Sequence, residues 1–353
     1  DGGSDCGVLA CRIDFALGRC NGYRVGSDIV FANATLRTLN IMPLLPYTPS
    51  SSARIAVLSL SGTVVPERLS AGVERLNALG YTTIGADAAA AQWRYFAGTD
   101  DARLDALNAA LDSDAEIVMF TRGGYGISRL LHRIDWARVA ASGKVFCGFS
   151  DVTAFSLAAL AQVNYVTLSG PMAAAEFAQA DQSDARDFSE SQFRAFLQAT
   201  GGYRYPQCTS DAAEIDRTIE GRLWGTNLCV LTHLIGTPYL PQVDDGILVL
   251  EDVGEAPYRV ERMFWQLKHA GILDRQRAII LGAFTDCGAP AGMRYPYSMT
   301  EAIETLREIA PCPVLTGFPF GHIPAKVTLP IGAPARLEMS GTNYTLSVSD
   351  YLR

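Results

Sequence analysis

Residues 144–160 read KVFCGFSDVTAFSLAAL: an apolar run, a Gly-Phe-Ser-Asp turn, and a second apolar run of different period. The first run reads as a buried strand and the second as a helix. A strand that passes through a tight turn into a helix is the building unit of a parallel sheet covered on both faces. Ser150, in that turn, has two readings. Serine is a preferred helix N-cap, because its hydroxyl can satisfy an orphan amide. The same strand, turn and helix form a nucleophile elbow, whose usual pattern is G-x-S-x-G, and here Val152 stands in place of the last glycine. The local sequence leaves both open.

The alternation continues outward. From Arg54, RIAVLSLSG reads as a buried strand, and PERLSAGVERLNALG as a helix with Leu69, Val73, Leu76 and Leu79 on one face. DARLDALNAALDS is a further helix, EIVMF a strand, ISRLLHRI a short helix and YVTLSG a strand. Residues 53–175 therefore predict an α/β domain with a mostly parallel sheet that carries Ser150. An acidic stretch over 176–205 reads as a connector with some helix. Residues 206–353 read as a second, α+β domain, with strands GILVLE and RAIILGAF, helices YRVERMFWQLKHAGIL and MTEAIETLREIA, and a closing hairpin around Gly341 to Asn343. Residues 1–52 show no clean periodicity, end in a Pro and Ser linker, and carry no assigned role.

A chain of 353 residues, 48% apolar, can bury two ordinary cores. Its formal charge of −8 without runs of like charge gives no surface for nucleic acid or an anionic membrane. No stretch approaches the roughly 20 apolar residues of a membrane helix. The N-terminus lacks the blocks of a secretory signal, so a cytoplasmic location is expected. The eight cysteines, at 6, 11, 20, 147, 208, 229, 287 and 312, lack the spacing of zinc sites and read mostly as buried thiols. Cys147 and Cys229, inside apolar runs, read as packing residues.

Sites in parallel sheets form at the carboxyl ends of strands. One such end is TRGGYGIS, where Gly123, Gly124 and Gly126 permit close backbone approach to a ligand. A dinucleotide fingerprint would need glycine at Arg129, and a plain tight turn is the competing reading. A serine nucleophile needs a base and a carboxylate. Of four histidines, His132, His233 and His269 fall in helical segments, whereas His322 sits in the loop GFPFGHIPAK. GILVLEDVGE ends an apolar strand on Glu251, which is either an active group or a solvated strand end.

Together the ordered motifs RYFAGTDDARLDALNAAL, RGGYG, GFSD, GP, EGRLWGTNL, LVLEDVGE, YRVERMFWQL, LGAFTDC and GH resemble the LD-carboxypeptidases of the murein tetrapeptide carboxypeptidase type. The resemblance implies a flavodoxin-like N-terminal domain, a smaller β-rich C-terminal domain and a homodimer, with the site at the domain junction. It implies Ser150 as nucleophile, His322 as base and Glu251 as its carboxylate, with no metal and no cofactor. It also implies an oxyanion hole in the RGGYG turn, read here as the amide of Gly124, with Gly123 as the alternative, together with the amide of Asp151. The implied substrate is a murein tetrapeptide cut between meso-diaminopimelate and D-alanine in cell-wall recycling. Its carboxylates call for a cationic clamp, to which Arg259 is assigned against the alternative of a helix-surface arginine. A sister activity, the microcin C immunity peptidases, carries a different turn at RGGYG, so Tyr125 favours the murein enzyme. A peptide- or sugar-binding module, with Ser150 only a cap, is the rival from another class. Three features depart from the family: the N-terminal extension, Ser169 where relatives often carry histidine, and Lys326 and Thr328 after the histidine.

Overall fold

Strands β1 (Arg54–Leu58), β3 (Ile117–Phe120) and β4 (Val145–Cys147) are almost wholly apolar and buried, as strands covered on both faces must be. They lie side by side and parallel, with β2 (Thr82–Ile84) beyond β1 and β5 (Thr167–Ser169) beyond β4. This computed structural model describes residues 52–179, 183–199, 201–212, 214–349 and 351. The extension and linker, with Cys6, Cys11 and Cys20, lie outside the described residues apart from Ser52.

Helices α1 (Pro66–Ala78), α2 (Ala86–Ala89), α3 (Asp100–Asp112), α4 (Trp136–Ala141) and α5 (Val152–Val163) connect these strands. Pro66 opens α1, where its missing N–H is not needed, and the Thr99 hydroxyl accepts the Ala102 amide at 3.2 Å to start α3. α5 is buried continuously from Val152 to Leu160, because it lies between the first sheet and elements of the second. The segment ISRLLHRI is not the short helix that its pattern predicts. It forms two 3-10 turns, Ile127–Arg129 and Leu131–Arg133: the Gly126 carbonyl accepts the Arg129 amide at 3.3 Å as well as the buried Arg103, the Ile127 carbonyl accepts the Leu130 amide at 2.8 Å, and the orphan Ile127 amide is satisfied by the Asp151 carboxylate.

The acidic stretch contains α6 (Ser183–Gln198), whose Phe193 and Phe196 are fully buried. After it come β6 (Tyr203–Arg204), β7 (Cys208–Thr209), β8 (Arg217–Asn227), α7 (Leu228–His233), β9 (Gly246–Val253), α8 (Pro257–His269), β10 (Gln276–Thr285), α9 (Met299–Ile309), β11 (Val314–Leu315), β12 (Leu329–Ile331), β13 (Pro334–Ser340) and β14 (Asn343–Val348). The second sheet runs β11-β10-β9-β8-β13-β14-β6, with β7 also on β14. β8 joins its two halves. Its Leu223–Asn227 portion pairs parallel with β9, and its earlier residues pair antiparallel with β13. The chain is thus α/β with a mostly parallel first sheet and a mixed, β-rich second domain. The predicted closing hairpin is present, turning at Gly341 with φ +59°.

β12 belongs to the first sheet. It runs antiparallel to β5, with Leu329 opposite Ser169, and brings the end of the His322 loop onto the sheet that carries Ser150. Pro330 is tolerated because β12 is an edge strand. Among the described residues the five cysteines are free; Cys147, Cys208 and Cys287 are buried. Cys229 corrects the sequence reading. It is exposed, because Leu228, Leu231 and Thr232 take the inner face of α7.

Close packing under the first sheet makes one glycine decisive. A Cβ on Gly72 of α1 would stand 1.8 Å from the Ala173 carbonyl oxygen, a backbone atom that cannot swing aside. Gly72→Ala is expected to lower the unfolding free energy by about 1–3 kcal/mol through overpacking, read as a fall in the urea midpoint with unchanged slope.

Candidate active site

Ser150 does not cap its helix. α5 begins at Val152 with Asp151 in the N-cap position, and no side chain caps it. The Ser150 backbone instead takes φ +65°, a left-handed conformation that costs a non-glycine residue about 1–2 kcal/mol. That turn points the hydroxyl across the domain junction, where Oγ lies 3.0 Å from Nε2 of His322. The other ring nitrogen, Nδ1, lies 2.7 Å from Oε2 of Glu251. With Nδ1–H donating to the carboxylate, Nε2 presents a lone pair to the Ser150 hydroxyl.

Glu251 is not a solvated strand end: it is wholly buried in β9. Its second oxygen accepts from the Asn227 amide group at 3.2 Å, and the same group reaches Asp252 at 3.2 Å. The Asn227 side-chain oxygen accepts the Val230 amide at 3.0 Å, so one residue caps α7 and fixes the carboxylate. His322 is anchored through its carbonyl, which accepts the Thr285 hydroxyl at 3.0 Å, and its ring packs 5.0 Å from that of Phe149. Behind Phe149, Lys326 Nζ sits 3.8 Å from the ring centre and is ion-paired with buried Glu176. The Lys326 amide donates to Ser189 Oγ at 3.0 Å.

The glycine turn closes on the serine. A Cβ on Gly123 would stand 2.7 Å from Ser150 Oγ and 3.2 Å from the Asp151 amide nitrogen, so only glycine fits. Gly124, at φ +108°, is exposed beside it. Among the described residues no backbone acceptor takes the amides of Gly123, Gly124 or Asp151. The Asp151 side chain works inward. Its carboxylate accepts from Ser61 Oγ at 2.6 Å and from the Ile127 amide at 3.0 Å, tying the elbow to the glycine turn. Burial raises its pKa against those hydrogen bonds.

Of the other predicted site residues, Tyr125 is half-exposed and packs 5.8 Å from the Phe96 ring. Arg259 is half-exposed in the first turn of α8, 3.8 Å from Glu255, and among the described residues no hydrogen bond or ion pair joins it to Ser150, His322 or Glu251. Ser169 is buried at the end of β5 opposite β12. The sequence reading missed Asn227, the Asp151 carboxylate, Arg103 and the Lys326–Glu176 pair. Asn227 and Arg103 lie inside EGRLWGTNL and DARLDALNAAL, but their partners are distant in sequence. Among the described residues no group of three or more His, Cys, Asp or Glu is placed to hold a metal ion, and no helix is long and apolar enough to cross a membrane.

A serine in a strand–turn–helix, hydrogen-bonded to an imidazole that a buried carboxylate holds, is the arrangement of a serine hydrolase. The chain belongs to the LD-carboxypeptidase family, a family of serine-type peptidases: residues 55–170 match its N-terminal domain and residues 220–337 its C-terminal domain. The murein tetrapeptide carboxypeptidase of Pseudomonas aeruginosa is 31% identical over 290 residues, covering 81% of this chain and 93% of that protein. The crystal structure of muramoyltetrapeptide carboxypeptidase from Oxalobacter formigenes superposes with a TM-score of 0.76 at 36% identity, covering 85% of this chain and all (100%) of that one. The microcin C7 self-immunity protein MccF of Escherichia coli is 27% identical over 303 residues, 78% of this chain and 87% of that protein.

Asp252, next to Glu251, gives the site a pH signature. Burial, reinforced by the Glu251 charge, pushes its carboxyl up to about 6, although the amides of Val253 and Cys229 favour the ionised form. A carboxyl raised in the folded state binds more protons there than in the unfolded chain, so its contribution to stability falls as pH rises from about 4 to about 6. Asp252→Asn lacks that term. Urea unfolding at several pH values should show the wild type losing on the order of 2–3 kcal/mol relative to the variant across this window. A pH-independent difference would refute the assignment.

Proposed function

We propose that Ser150, His322 and Glu251 are the catalytic triad of a carboxypeptidase that releases D-alanine from murein tetrapeptides, cutting the L,D-peptide bond after meso-diaminopimelate. The observation that carries this reading is the unbroken hydrogen-bonded line from Ser150 through His322 to Glu251, at 3.0 and 2.7 Å. Support for the substrate comes from the murein tetrapeptide and muramoyltetrapeptide carboxypeptidases, at 31% and 36% identity. In this reading the enzyme serves cell-wall recycling in the cytoplasm and works as a homodimer.

Glu251 holds the imidazole with Nε2 toward the serine. His322 takes the hydroxyl proton as Ser150 Oγ attacks the carbonyl of the diaminopimelate residue. The amides of Gly124 and Asp151 receive the oxyanion, with Gly123 as the alternative donor in the turn. His322 then passes its proton to the amine of the leaving D-alanine, and water, deprotonated by the same imidazole, releases the acyl group.

Incubating the purified protein with the tetrapeptide should release D-alanine, measured with D-amino acid oxidase. Ser150→Ala should reduce that rate by at least about 10⁴-fold. Because the hydroxyl does not cap α5, the thermal midpoint should stay within a few degrees, without the roughly 1 kcal/mol cost of a lost cap. Hydrolysis of an aminoacyl nucleotide but not of the tetrapeptide would replace this reading with the immunity-type activity. Full function in Ser150→Ala would replace it with a binding module.

A further inference from the structure

A carboxypeptidase must recognise the free carboxylate that lies one residue beyond the scissile bond. Arg259, the cation expected from sequence, is paired with Glu255 and exposed. A different arginine stands at the serine. Arg122 immediately precedes Gly123 and Gly124, and its guanidinium is half-buried. Nη1 donates to the Thr63 carbonyl at 2.9 Å, which tethers one edge. Nη2 faces Gly124: a Cβ on that glycine would stand 3.4 Å from it.

The ion pairs of the first domain sharpen the contrast. Arg54, Arg75, Arg103, Arg129, Arg133 and Arg138 each have a carboxylate partner, whereas among the described residues none lies within ion-pair distance of Arg122. Arg68 and Arg94 also lack one, but Arg68 is engaged by the Ala175 carbonyl and Arg94 by the Trp93 ring, and it is Arg122 that borders Gly124. A tethered guanidinium with one edge open is pre-organised for an incoming carboxylate. The Tyr95 hydroxyl shares the corner. It would stand 2.5 Å from a Gly124 Cβ, and Tyr95 is itself half-exposed. Gly123 in turn touches Ser150, so nucleophile, glycine turn and guanidinium form one continuous wall.

We propose that Arg122, assisted by the Tyr95 hydroxyl, binds the terminal carboxylate of the peptide substrate and so restricts the enzyme to C-terminal residues. This rests on the peptidase reading of Ser150. The free edge of the guanidinium takes the carboxylate of D-alanine while the scissile carbonyl oxygen lies in the glycine turn. Amidating the carboxylate removes the charge that Arg122 recognises.

The test compares kcat/KM for the tetrapeptide ending in D-alanine with that for the same peptide ending in D-alaninamide, in wild type, Arg122→Met and Arg122→Lys. The wild type should prefer the free acid by roughly 30- to 100-fold, as expected for a charge-assisted hydrogen bond. Arg122→Met should bring that ratio to within a few-fold of unity, and Arg122→Lys should restore part of it. The ratio within one protein sample is insensitive to how much of a variant is folded. An unchanged ratio in Arg122→Met would overturn the proposal, as would a wild type that cuts acid and amide equally; D-alanine would still be released in both cases, leaving the substrate reading intact. Release from neither peptide by the wild type would overturn the substrate reading and this proposal together.

Discussion

One left-handed residue organises the site. At φ +65°, Ser150 has left the sheet and not yet joined α5, and an L-amino acid stays in that conformation only where its surroundings over-determine it. Here they do so from three sides. Gly123 lies flat against the serine, the Asp151 carboxylate is pinned by Ser61 and the Ile127 amide, and the Val152 amide bonds back to the Phe149 carbonyl at 3.3 Å. The strain is small beside the rigidity of that frame. It turns a side chain that would otherwise satisfy a helix amide toward an imidazole on another segment.

The imidazole is held with equal care from the other sheet. Glu251 lies in β9, and Asn227, at the end of β8, spans Glu251 and Asp252 while capping α7. The buried Lys326–Glu176 pair ties the His322 loop to the segment after β5 and places a cation on the Phe149 ring, next to the imidazole. An isolated buried charge would be costly, and here the pairing is completed by the Met172 amide, which donates to Glu176 at 2.9 Å. Such a pair defines position more than it adds stability.

Much of this was legible in the sequence, because local pattern encodes local structure. The run from 144 to 160 declared a strand, a turn and a helix; Glu251 closed an apolar strand; and His322 stood in a loop without helical duties. What was illegible depends on distant partners. The backbone conformation of Ser150 is imposed by Gly123, and serine's known preference for N-caps pointed the wrong way. ISRLLHRI has helical spacing, but its hydrogen bonds close in 3-10 turns whose start is held by Arg103 and Asp151, partners distant in sequence. β8 escaped notice because Ile219 is the one buried residue of its first half, Arg217–Arg222, while its second half is buried throughout, so neither an alternating nor a continuous apolar pattern runs its length. β12 is three residues long with a proline in its middle, and only its place at a sheet edge explains it.

The return of β12 to the first sheet has a consequence for synthesis on the ribosome. The first five strands emerge within the first half of the chain and can pair as they appear, but β5 keeps an unpaired edge until Leu329–Ile331 arrive. Glu176 likewise waits 150 residues for Lys326, and Ser150 waits 172 residues for its imidazole. Completion of the sheet and arrival of the base are therefore the same late event. A nascent chain interrupted before His322 holds an elbow with nothing to draw the proton from its serine.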